Sequence, residues 1–298
     1  MILDTNDSIA SAMAAAKPGT TIYLRGGTYS QSPNLRPAPG QAGARNVLAS
    51  YPGEQAVIRG LPTFNDPDYW TFKDLAFTQG STTRLHLVKI HGGTGWTLDG
   101  VEIHGAVQTG LLVGRSTTYG AAHNWTIRRS YMHDTGYTPA YLNPGRDATN
   151  GLVERNIFAD AGTEGAKLGW GGTDVGAHLG EFGVGEVTFR YNTVVTSGIN
   201  ANLVIAEPSN GQHVEVYRNL FVNSGVDWAV RIDNVEGHLG TDIWVHDNAW
   251  FGPTRFAFDF GDAPRVMDQM ADNPKLDPRL DGGYRPQNDA AANYGRYG

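Results

Sequence analysis

Lys167, Glu207, Arg231 and Asp233 carry the side chains that acid–base chemistry requires. A lysine whose ammonium is disfavoured by a nearby cation and by partial burial can act as a base near neutral pH. An arginine beside it can hold the charge that develops when a proton leaves a carbon next to a carboxylate. The same set contains a carboxylate pair, which acid-assisted cleavage of an acetal needs. The four are far apart along the chain, so their chemistry depends on a fold that gathers them on one surface.

The repeats supply such a fold. Six short apolar runs end at Val101, Ser130, Asn156, Asn192, Asn219 and Asn248, spaced by 29, 26, 36, 27 and 29 residues. A period in this range marks one supersecondary unit stacked many times. The runs are β-like and are broken by Gly, Asn, Asp and Pro. The fold expected is all-β: a single-stranded right-handed parallel β-helix with three short strands per coil. Asn156, Asn192, Asn219 and Asn248 should stack at one corner, each in a left-handed turn and bonded to its copies. One helix is expected, over Ile9 to Ala16 behind Asp7 and Ser8, and it should cap the first coil. The organisation expected is one domain over 1–298, with a cap at 1–19, coils over 20–267 and a tail over 268–298.

Alternation then selects the outward side chains. Candidate strands upstream of the Asn corner are Leu87–His91, Leu111–Arg115, Gly165–Gly169, Leu203–Glu207, Ala229–Asp233 and Ala257–Gly261. One outward column would hold Lys89, Val113, Lys167, Ile205, Arg231 and Asp259. The other would hold His91, Arg115, Gly169, Glu207, Asp233 and Gly261. A solvated ladder of ion pairs is the plainer account of such a face. The 36-residue spacing argues for more, because it contains a long Gly-rich insertion after Lys167. Long loops on repeat scaffolds often wall binding sites. Trp170 in that loop can stack on a sugar ring or fill the loop's own core. A second irregular stretch holds His133, Asp134 and Asp147; a His–Asp pair there can serve catalysis or brace the corner. Arg190 should face elsewhere.

The net charge of −7 argues against nucleic-acid or membrane-surface binding, which needs a basic field. No apolar run approaches the roughly 18 residues of a membrane span. Cysteine is absent, so no disulfide holds the fold. No basic region followed by an apolar one opens the chain, as expected of the mature form of a secreted or periplasmic protein.

Several segments resemble the pectate-lyase-like family of parallel β-helix proteins. The Ala-rich start followed by Lys17-Pro18-Gly19-Thr20-Thr21-Ile22-Tyr23-Leu24 is similar to that family's opening. Asn46 through Gly60 resembles the first full coil of alginate lyases and chondroitinase B-like enzymes, and Asp277-Pro278-Arg279-Leu280 resembles the tails of secreted β-helix proteins. The resemblance implies a polysaccharide substrate and β-elimination at a uronate. It places Lys167 as the base; Arg231 or Arg190 could neutralise the carboxylate. It also implies Ca²⁺ held by acidic residues, although that acidic ligand motif is not evident here and the residues themselves point to no cofactor. The alternatives are a glycoside hydrolase using Glu207 and Asp233, and a non-catalytic glycan binder or adhesin. In each reading Trp170, Arg115, His133, Asp147 and Asp259 are candidate substrate contacts.

Overall fold

The computed structural model describes residues 1–31, 34–162, 164–169, 184–195, 201–206, 213–222, 228–233, 242–260 and 272–298. Within these, the chain winds into a right-handed parallel β-helix. Three parallel sheets of ten, nine and nine strands run along its length, and each coil contributes one strand to each sheet. Every backbone donor and acceptor of a strand therefore points to the coil above or below.

The expected repeat sets the first sheet. Leu98, Ile127, Val153, Phe189, Val216 and Val245 lie in one register, each paired with the next. All are buried in the core. Like side chains stack: the indoles of Trp96 and Trp125 lie 5.4 Å apart and 20° from parallel. The next position in that column is Gly151, where a Cβ would collide with the Trp125 ring.

The Asn corner forms as expected and is longer. Asn156, Asn192, Asn219 and Asn248 are all fully buried. Nδ2 of each donates to Oδ1 of the next at 2.9–3.1 Å, and the series continues to Asn273. Each of these Oδ1 atoms also accepts the preceding Asn backbone N–H at 2.9–3.0 Å. The left-handed residue is the one before each Asn rather than the Asn itself: Arg155, Tyr191, Arg218, Asp247 and Asp272 all have φ between 50° and 56°. That residue turns the chain, and the Asn then points inward and ties the turn to its neighbour.

The helix spans Ile9–Ala14, shorter than expected, with Ser8 Oγ accepting the Ser11 N–H at 3.1 Å. Its Ile9 and Met13 join the same core cluster as Ile22 and Leu24. At the other end the stack continues past residue 268, since Lys275 bridges to Trp250 beside Asn273. The segment beyond doubles back along the outside. Gly295 N–H donates to Arg218 O at 2.9 Å, and Arg155 Nη1 donates to Gly298 O at 2.6 Å.

The third sheet departs from expectation in register. It contains a strand, Ala140–Asn143, between Leu111–Gly114 and Glu164–Gly169, which is absent from the candidate strands. Val113 and Ile205, expected outside, are fully buried in the core. The true outward partners are Leu112 and Val204. Leu111-Leu112-Val113 and Leu203-Val204-Ile205 are unbroken apolar runs, so alternation of polarity cannot choose between the two faces.

Candidate functional site

The observed register rebuilds the outward face of the third sheet. One column runs Thr63, Lys89, Leu112, Tyr141, Lys167, Val204, Arg231 and Phe258. Beside it lie Asn65, His91, Gly114 and Asn143, and further along Gly169, Ala206, Asp233 and Phe260. Coils are about 4.8 Å apart, so Lys167 and Arg231 sit about 10 Å apart, and Lys89 lies about 14 Å beyond Lys167.

This column differs from its counterpart on the first sheet. There Lys73, Asp99, Arg128, Glu154 and Arg190 alternate in sign from coil to coil. Asp99 is bound by Arg128 and Arg129, and Glu154 accepts from Arg190 at 2.8 Å. That is the solvated ladder, and it neutralises itself. Arg190 is therefore on another face, as expected. By register the third-sheet column holds Lys89, Lys167 and Arg231 with no carboxylate between them, and Asp233 lies two residues past Arg231 on the same strand.

Two features make the cation face more than a flat surface. Val204 points outward yet is fully buried, and with Ala201 and Trp228 it forms an apolar cluster outside the core. The Arg231 guanidinium lies 6.0 Å from the Trp228 ring. Tyr141 and Asn143 also point outward and are buried. Near them, His86 meets the Tyr141 ring edge-on at 6.5 Å. Burial, aided by Lys89 and His91, pushes the His86 imidazole down to about 4, so it is neutral at physiological pH. Burial and Lys89 also lower His91, whose Nδ1 lies 3.4 Å from Asn65 Oδ1. His86 Nδ1 and Asn143 Oδ1 are buried and have no hydrogen-bond partner among the described residues. Buried polar atoms without a partner are uncommon, and an ordered water is one way to satisfy them.

The candidate residues divide as follows. Lys167, Arg231 and Asp233 share the third sheet, with Tyr141 and Val204 as the immediate neighbours of Lys167. Arg115 follows this sheet's strand and meets Asp147, Nε to Oδ1, at 3.6 Å. Asp259 pairs with Ile232, a core position, instead of with Arg231. His133 lies on the second sheet, away from Lys167. It is held by Glu102 at 3.2 Å and Asp134 at 2.7 Å and stacks on Tyr131 at 3.9 Å, a braced corner. Trp170 and Glu207 lie outside the described residues, as do the side chains of Lys167, Asp233 and Asp259. His86, Tyr141 and Asn143 are not among the candidates that the sequence offers. Pro139 and Pro144 bracket the short strand that carries the last two and disguise it as a loop. As for calcium, no group of three or more His, Asp or Glu side chains among the described residues is placed to hold a metal ion.

No family model matches the chain. A curated relative, pectate lyase L of Paenibacillus polymyxa (strain SC2), is 29% identical over 144 residues, covering 42% of this chain and 31% of the relative. The chain thus matches under a third of that protein's length. Among solved structures, pectate lyase Pel9A is similar with a TM-score of 0.51 and 16% identity, covering 92% of this chain and 73% of that one. An alginate lyase from Paenibacillus sp. str. FPU-7 is similar with a TM-score of 0.52 and 15% identity, covering 89% and 95%. At these identities the structural likeness concerns the fold. Fold and curated relatives together support a likeness to the pectate-lyase-like superfamily of right-handed parallel β-helices.

Proposed function

We propose that the chain is a polysaccharide lyase that cleaves a uronate-containing polymer by β-elimination. The observation that carries this reading is the column of Lys89, Lys167 and Arg231, unbroken by carboxylates, in a chain of net charge −7. A polyanion laid along the helix axis would meet a cation at intervals on this face, whereas among the described residues the first-sheet cations Lys73, Arg128 and Arg190 are each paired with a carboxylate.

In this reading Lys167 takes the proton from the carbon next to the uronate carboxylate. Arg231, two coils away, attracts the carboxylate, onto which charge spreads as the proton leaves. The electron pair then forms a carbon–carbon double bond and expels the glycosidic oxygen, leaving an unsaturated sugar end. Lys167 must be neutral to act as base. A neighbouring cation and partial burial are the two influences that favour a neutral lysine amine. The likeness to the curated pectate lyase supports uronate polymers as the class to test.

The test is ultraviolet absorbance of the unsaturated end, followed on polygalacturonate and on alginate. Elimination by the native chain and its loss in Lys167→Ala are the expected results. New reducing ends without absorbance would transfer the reading to hydrolysis, and glycan binding without turnover would transfer it to a binding protein.

A further inference from the structure

We infer that a cavity at the corner between the second and third sheets is a distal subsite for the carboxylate of an acidic sugar. The inference rests on the polyuronate reading only in its choice of polymer. The cavity has a volume of about 630 Å³, within the range of small-molecule sites. Arg59, Lys89, Thr63, Gln79, Leu61 and Leu85 are among its lining residues, and no acidic residue lines it.

Its chemistry is that of a uronate site. Two cations meet there in an acidic chain, and Arg59 has no ion pair among the described residues. A guanidinium offers two parallel donors matched to a carboxylate, and Lys89 adds a point charge. Leu61 and Leu85 give an apolar shelf of the kind on which the C–H face of a sugar ring rests; Leu85 is 41% exposed. Thr63 adds a hydroxyl to the lining.

The site is also built rather than incidental. Gly80 has φ +66°, and a Cβ there would collide with Nε of Arg59, so the arginine lies directly over the glycine. Gln79 is almost fully buried, and its Oε1 accepts the Val107 N–H at 3.0 Å. That bond fixes the start of the loop that carries Ser81 and Leu85. Because Lys89 belongs to the outward column, the cavity opens onto the face that bears Lys167, three coils away. A polymer seated at Lys167 and running toward the N-terminal coils reaches it.

The experiment measures equilibrium binding of polygalacturonate, of alginate and of their carboxyl-reduced, neutral forms to the full chain. Arg59→Ala should weaken binding of the acidic polymer about tenfold, the scale of one charge-assisted hydrogen bond. Arg59→Lys should recover part of the loss, and the carboxyl-reduced polymer should not distinguish the native chain from Arg59→Ala. Unchanged binding in Arg59→Ala overturns the inference. So does an equal loss on the neutral polymer, because the contact is then not with a carboxylate. The two proposals fail separately: weakened binding in Arg59→Ala without any unsaturated product keeps the subsite and removes the lyase. Elimination abolished by Lys167→Ala with Arg59→Ala binding normally does the reverse.

Discussion

Replacing Asn192 by alanine tests whether the buried ladder holds the coils in register. Its Oδ1 accepts the Asn156 backbone N–H at 3.0 Å and Asn156 Nδ2 at 2.9 Å, and its Nδ2 donates to Val153 O at 2.9 Å. After truncation the Asn156 amide has lost its acceptor and the Val153 carbonyl a donor, in a place from which water is excluded. A stranded buried polar group costs about 1–3 kcal/mol, and at about 1–2 kcal/mol for each of these two neutral groups the pair predicts a loss of about 2–4 kcal/mol. For a chain of this size that corresponds to a fall in Tm of roughly 4–16 °C. Urea denaturation followed by circular dichroism gives the free energy directly. Asn273 is the comparison: it makes the same bonds but is only partly buried, so water can replace its side chain. Asn273→Ala should cost about half as much or less. A loss below about 1 kcal/mol at Asn192, or equal losses at both positions, would refute the reasoning.

Lys167→Ala should abolish formation of unsaturated ends while shifting Tm by no more than a few degrees, since an outward strand position contributes little to the core; scanning calorimetry beside the absorbance assay checks both. His86 should make the native state acid-sensitive. Its imidazole binds a proton in the unfolded chain near pH 6.5 but in the folded chain only near 4, so stability is full above 6.5 and falls as pH drops between the two. The span corresponds to about 3 kcal/mol, and His86→Phe should flatten that limb of a stability–pH curve. Gly151→Leu drives a side chain into the Trp125 indole and should cost about 1–3 kcal/mol, read as a lower urea midpoint. Leu112→Glu places a carboxylate between Lys89 and Tyr141 and should weaken acidic-polymer binding more at low salt than at high salt, measured by titration at two ionic strengths.

The coil repeat is legible in the sequence because a buried amide is an expensive residue to repeat at one register unless it bonds to its copies. Asn156, Asn192, Asn219 and Asn248 therefore mark the first sheet and its corner by spacing alone. The left-handed position is hidden because three of its four occupants beside these Asn, Arg155, Tyr191 and Arg218, are residues that do not advertise a turn; only Asp247 does. The site face is only half legible. Polar–apolar alternation identifies Lys89 and Arg231 correctly, since core residues flank each of them. It fails at Leu112, which is outward and half-buried, and at Val204, which is outward and apolar because Ala201 and Trp228 pack with it. A covered outward face is a property of a binding site, so the register error falls on the region where function is proposed. His133 misleads for the opposite reason: the residue pair that could act as acid and base is consumed by Glu102 and Asp134 within its own corner.

The returning C-terminal segment changes how such a stack comes apart. In a solenoid each coil touches only its neighbours, so the free end can peel away one coil at a time. Here Arg296 N–H donates to Thr193 Oγ1, Arg296 Nη2 to Arg129 O, and Arg155 to Gly298 O, contacts between residues 103 to 167 positions apart. The segment is a strap laid across several turns at the outer side of the asparagine corner. Releasing the last coil therefore means first unlatching contacts in the middle of the molecule. Fraying at that end is thereby converted into a concerted opening, whose barrier is set by Arg129, Arg155 and Thr193 rather than by the terminal coil itself.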